Sequence, residues 1–120
     1  MESGINARAI DFAKFGRLYL NNGNWNGTQI VPSEWVAAST TDNGLIQNTP
    51  IYYGYMWWGE KCNPESQDYL ATGNFGQFIH VSPVKNLIIV RNGERYGLES
   101  TGEEWVVWAD LLCQFAKSLP

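Results

Sequence analysis

Two short patterns carry the residue types of a covalent hydrolase. Ser82-Pro83-Val84-Lys85 sets a hydroxyl three positions before an amine, and Tyr19-Leu20-Asn21 sets a phenol two positions before a carboxamide. On one helical turn a lysine amine can take the proton of such a serine, which then attacks an acyl carbon. Neither pattern stands where that chemistry needs it. Ser82 falls between two strand-like runs, and Ser-Pro is a turn-initiating pair. Tyr19 and Asn21 close a helix and precede the serine. Both patterns are read as coincidence, so no catalytic residue is assigned to this chain.

His80 is the single histidine, two residues before Ser82 on an alternating strand. Positions two apart share a sheet face but project in parallel, and a working Ser-His pair also needs a third group. His80 is therefore expected to be a solvated strand residue. Asp11, Glu34, Glu60, Asp68, Glu103 and Glu104 supply carboxylates, yet no acid–base pair is identifiable among them. Glu103 and Glu104 suit the first turn of a helix, where the dipole favours negative charge. Cys62 and Cys113 lack a CxxC spacing or a nearby histidine pair, which leaves a zinc site unsupported. One disulfide is possible by count but is not decided by spacing. Both cysteines are expected as free thiols, Cys113 buried on a helix and Cys62 in a loop.

The stretch most open to a ligand is "TGNFGQFIHVSP", residues 72–83. Glycine weakens a strand interior, and it is found there where another backbone or a ligand must come close.

The elements that would position these residues follow from spacing. Ala9, Phe12, Ala13, Phe15, Leu18 and Tyr19 recur near helical period, with Asn6 available as N-cap and Asn21 to Gly23 as the stop. Asn26-Gly27 fits a type I′ hairpin turn. It also begins a glycosylation sequon by pattern, for which the turn is explanation enough. Pro32 opens a short helix. "YYGYMWW", residues 52–58, reads as one aromatic strand, and "YLATGNFGQFIHV" and "NLIIVRNG" as two more. Ser100 and Glu103 have capping-box spacing before a final helix with Trp105, Trp108, Ala109, Leu112 and Cys113 on its apolar side. The order predicts an α+β fold, an antiparallel sheet of about three strands with flanking helices. The six Trp are expected in the core more than in a sugar-binding cleft.

Three patches taken in order, "GINARAIDFAKFGRLYLNNGNWNGTQIVPSEWV", "YYGYMWW" and "GNFGQFIHVSPVKNLIIVRNG", resemble the C-terminal part of serine β-lactamase-like hydrolases. The branch they resemble holds class C β-lactamases, related esterases and 6-aminohexanoate-dimer hydrolases. The resemblance implies one partial β-lactamase/transpeptidase-like domain over residues 1–120. Residues 1–50 would end the helical region, and 51–120 would give the sheet strands and C-terminal helix. It implies acyl transfer to a serine and then hydrolysis, with no metal or organic cofactor, on a small ester, amide or β-lactam. The family's Ser-x-x-Lys and Tyr-x-Asn motifs would lie in sequence preceding this chain, which alone should be inactive. Its third motif, on the strand flanking the active site, would fall at Asn74-Phe75-Gly76. Gly76 would admit the substrate and the Gln77 N–H would face the developing oxyanion. Asn74 stands where relatives have Lys or His, and Phe75 where a small residue is commoner. Both departures favour a neutral ester or amide, or no substrate. The rival reading is a non-enzymatic binding or interaction module reusing part of the fold.

Composition narrows the partners. Net charge is -4 with eight scattered Lys and Arg, too few and too dispersed for a phosphate backbone, so no nucleic acid is expected. No apolar run reaches the roughly 20 residues of a membrane span. "MESGINARAIDF" has no signal-peptide pattern, and localisation is left open. An aromatic sheet with an unpaired edge is expected to self-associate.

Overall fold

The computed structural model describes residues 4–61, 67–97 and 104–120. Helix α1, Ala9–Leu20, starts after Arg8 rather than Asn6 and has no side-chain cap hydrogen bond. Asp11 in its first turn instead accepts from Arg8 and Lys14. The helix stops where expected, because Asn22 and Gly23 adopt φ 52° and 81°. There the Gly23 N–H reaches back to the Leu18 carbonyl at 2.8 Å. Strands β1 (Asn24–Trp25) and β2 (Thr28–Gln29) form the hairpin, with Asn26 and Gly27 at φ 50° and 95°. Helix α2, Ser33–Thr40, follows Pro32.

The aromatic run is two strands and not one. β3 (Ile51–Tyr53) and β4 (Trp58–Glu60) pair antiparallel across a reversal at Gly54 to Trp57. Gly54 donates to the Trp57 carbonyl at 2.8 Å, and Met56 takes φ 69°. The long strand expected over residues 69–81 also folds back, giving β5 (Tyr69–Gly73) and β6 (Gln77–Ser82). β7 (Leu87–Arg91) follows. The sheet therefore has five strands, in the order β3-β4-β5-β6-β7, in place of about three. Helix α3, Glu104–Ser118, closes the chain. The capping box expected at Ser100 and Glu103 lies outside the described residues.

Alternation along the strands divides the core into two layers. On one face Tyr19 and Phe12 of α1 pack with Trp57, Tyr69, Ile79 and Val81. On the other, Ala109 and Leu112 of α3 pack with Trp58, Leu70 and Phe78. Trp57 and Trp58 thus serve opposite layers. Gly16 lets α1 settle on the sheet, since a Cβ there would lie 2.9 Å from an Ile88 methyl.

Candidate functional site

β4 pairs with β5 only at Tyr69 and Leu70, whereas β6 pairs with all of Tyr69 to Gly73. Ala71, Thr72 and Gly73 therefore present one backbone edge that β4 does not cover. That edge lines a cavity of about 570 Å³. Its other walls are Phe12 of α1, Ile79 and Phe78 of β6, Asn92, and Gly4 and Ile5. Asn74, Phe75 and Gln77 complete the rim, and no charged side chain lines it among the described residues.

Asn74, Phe75 and Gly76 were expected along a strand and instead make the turn between β5 and β6. Phe75 and Gly76 adopt φ 63° and 84°, which close the hairpin so that Gly73 opposes Gln77. Phe75 stands out at 62% exposure. Gly76 is buried, and what approaches it within this chain is Arg91. The Arg91 guanidinium donates to the Gly76 carbonyl, and a Cβ on Gly76 would meet Arg91 Nη1 at 2.4 Å. Arg91 also donates to the Arg95 carbonyl at 2.9 Å and lies 4.4 Å over the Trp108 ring. The Gln77 side chain accepts from the Gly93 N–H at 3.1 Å and donates to the Gly93 carbonyl. The turn is thus braced from the β7 side, with Asn74 and Phe75 left facing outward.

The Ser82–Lys85 pattern is dismantled by geometry. Ser82 ends β6, fully buried, and donates to Asp68 Oδ1 at 2.8 Å. Lys85 donates to the Leu119 carbonyl at 2.7 Å. Tyr19 packs in the core against Trp57 with its ring tilted, and Asn21 caps α1. His80 is not solvated as expected: it is fully buried, with Nε2 3.1 Å from Asp68 Oδ2. With its proton on Nε2 the ring donates to that carboxylate, and Nδ1 has no partner. The arrangement is no nucleophile–base pair, because Ser82 and His80 both turn to Asp68. Sequence reading missed Asp68 as their common acceptor. The signal was there once the turn is placed at Asn74–Gly76, since that register sets Asp68 beside Ser82 across the hairpin.

Beside this trio Glu60 is 4% exposed, with Oε2 unpartnered. Burial pushes its carboxyl up to about 7, helped by the negative charge of Asp110 and Asp68 and opposed by Lys117. Tyr52, whose hydroxyl donates to the Thr40 carbonyl at 3.0 Å, is pushed up to about 12 by burial and by Asp42 and Asp68. Cys113 is buried on α3 as expected but is disulfide-bonded, not a free thiol. The other cysteine of the sequence, Cys62, lies outside the described residues. Among the described residues no cluster of His, Cys, Asp and Glu could hold a metal ion.

No protein-family model and no curated protein matches the sequence. Among solved structures, the chain superposes on a Bacillus anthracis protein assigned as a 6-aminohexanoate-dimer hydrolase, with TM-score 0.76 and 31% identity. The match takes in 98% of this chain but only 31% of the other, so the chain spans about a third of that relative's length. The resemblance read from the sequence is thereby met in three dimensions: these 120 residues share the α+β architecture of one part of a β-lactamase-like hydrolase.

Proposed function

We propose that the chain is the substrate-facing C-terminal part of a β-lactamase-related serine hydrolase, and that it is inactive alone. One observation carries this: the β5 edge at Ala71–Gly73, which β4 does not pair, and the turn residues Asn74 and Phe75 together line one wall of a cavity. In the proposed reaction the acyl carbonyl lies along this edge with Gln77 at its end. Fixed backbone N–H groups there would stabilise charge that appears only in the transition state. The nucleophilic serine, its lysine and the tyrosine are supplied by sequence outside these 120 residues. The uncharged walls favour a neutral ester or amide over a carboxylate-bearing β-lactam, because a buried carboxylate needs a cation or several donors. Residues 4–50 then end the helical region that borders the cavity. The outer edge of β7 and the exposed Val107, Leu111 and Phe115 on α3 support self-association.

The purified chain is therefore expected to show no turnover of a p-nitrophenyl ester and no fluorophosphonate adduct, while light scattering reports more than a monomer. A Ser82 adduct would overturn the assignment of the nucleophile to other sequence. A monomer mass would remove the association. The interaction-module reading would gain from a full-length parent that also fails to label.

A further inference from the structure

The sheet face beneath α3 carries an unusual row of polar side chains. Trp58 and Glu60 of β4, Leu70 of β5, and Phe78, His80 and Ser82 of β6 share this face by strand alternation, and Asp68 just before β5 joins them. At one end the row is apolar and packs on Ala109 and Leu112. At the other, Glu60, Asp68, His80 and Ser82 are all buried, as are Cys113 and Ala116 of α3, which packs against β4. Asp68 is tied down from several strands: Ser82 and His80 hold its carboxylate, and the Glu60 N–H and Tyr52 hydroxyl reach its carbonyl at 3.4 Å. Glu60 is not so held. Its Oε2 is buried without a hydrogen-bond partner, within electrostatic reach of the Asp68 carboxylate and of the exposed Asp110 and Lys117 on α3.

We propose that Glu60 is a proton-operated latch for α3, closed while its carboxyl is neutral and loosened when it becomes a carboxylate. A neutral carboxyl is tolerated in this site, whereas a third negative charge, added to those of Asp68 and Asp110, is repelled and poorly solvated. Opening α3 gives that charge back to water. The Lys85 bond to the Leu119 carbonyl and the disulfide at Cys113 keep the helix attached, so the change is a local loosening and not unfolding. The sign follows from a folded-state pKa raised above the ordinary 4.5 to about 7. The closed state is fully favoured below the lower value, loses ground as pH rises, and levels off above the higher one.

Hydrogen exchange of α3 amides, corrected for intrinsic rates, tests this on the full chain. Protection over Ala109–Lys117 should fall about tenfold per pH unit between about pH 5 and about pH 7, then stay flat. The Glu60→Gln variant should keep high, pH-independent protection across that range. Should that variant not fold, the wild-type Glu60 carboxyl can be followed by NMR. Titration near its ordinary value would overturn the latch. So would α3 protection that does not change with pH, or an equal loss in Glu60→Gln.

Discussion

Asp68→Ala is expected to destabilise the fold by about 3–5 kcal/mol, the range found when one partner of a buried charged network is removed. Ser82 and His80 are fully buried, and each spends its hydrogen bond on this one carboxylate at 2.8 and 3.1 Å. Alanine would leave both donors without a partner and without water, at about 1–3 kcal/mol each. A domain of this size has about 5–15 kcal/mol in total. The urea midpoint should therefore drop sharply with little change in slope. Asp11→Ala serves as the control. Its ion pairs with Arg8 and Lys14 are exposed on α1, and its midpoint should stay close to wild type. Equal midpoints for the two variants would show that the Asp68 trio contributes nothing.

Gly59→Ala should be nearly as damaging, through shape and not charge. Gly59 opposes Tyr52 across the β3–β4 pair, and a Cβ on it would sit 1.7 Å from the Tyr52 ring. The ring cannot swing out cheaply. It is buried, and its hydroxyl is bonded to the Thr40 carbonyl at the end of α2. Overpacking of this kind costs about 3 kcal/mol, with the lost hydroxyl bond added to it. Tyr52→Leu vacates the space, so the double variant should lose less stability than the two single losses combined. Strict additivity in thermal or urea unfolding would contradict the contact.

What was legible in the sequence was local. Asn26-Gly27 requires positive φ at both positions and received it, and Asn22-Gly23 ended α1 for the same reason. The final helix and the α+β class followed from apolar spacing. What failed depended on contacts across the fold. The aromatic run 52–58 has the composition of a strand, and its reversal rests on Gly54, where a Cβ would lie 2.1 Å from the Ser39 carbonyl of α2. No neighbour in sequence reveals that approach. The two glycines around Asn74 and Phe75 were read as a close approach along one continuous strand, and the chain instead reverses there. Their use in a turn became plain only with the pairing of Gly73 to Gln77. His80 was misjudged because its partner, Asp68, lies just before the facing strand, and an isolated Asp carries no sign of what it will accept. The disulfide at Cys113 belongs to the same class, since spacing alone does not bring two distant cysteines together.

The central claim is that a neutral acyl substrate lies against the β5 edge and the turn that follows it. Amide chemical-shift mapping on the isotope-labelled chain, titrated with a small neutral N-alkyl amide, tests it most directly. The expected result is a contiguous set of perturbed amides at Ala71, Thr72, Gly73, Asn74 and Gln77, with Asn92 across the cavity, and none at Ser82 or along α3. No perturbation of that edge, or perturbation centred on Ser82 and His80, would contradict the claim.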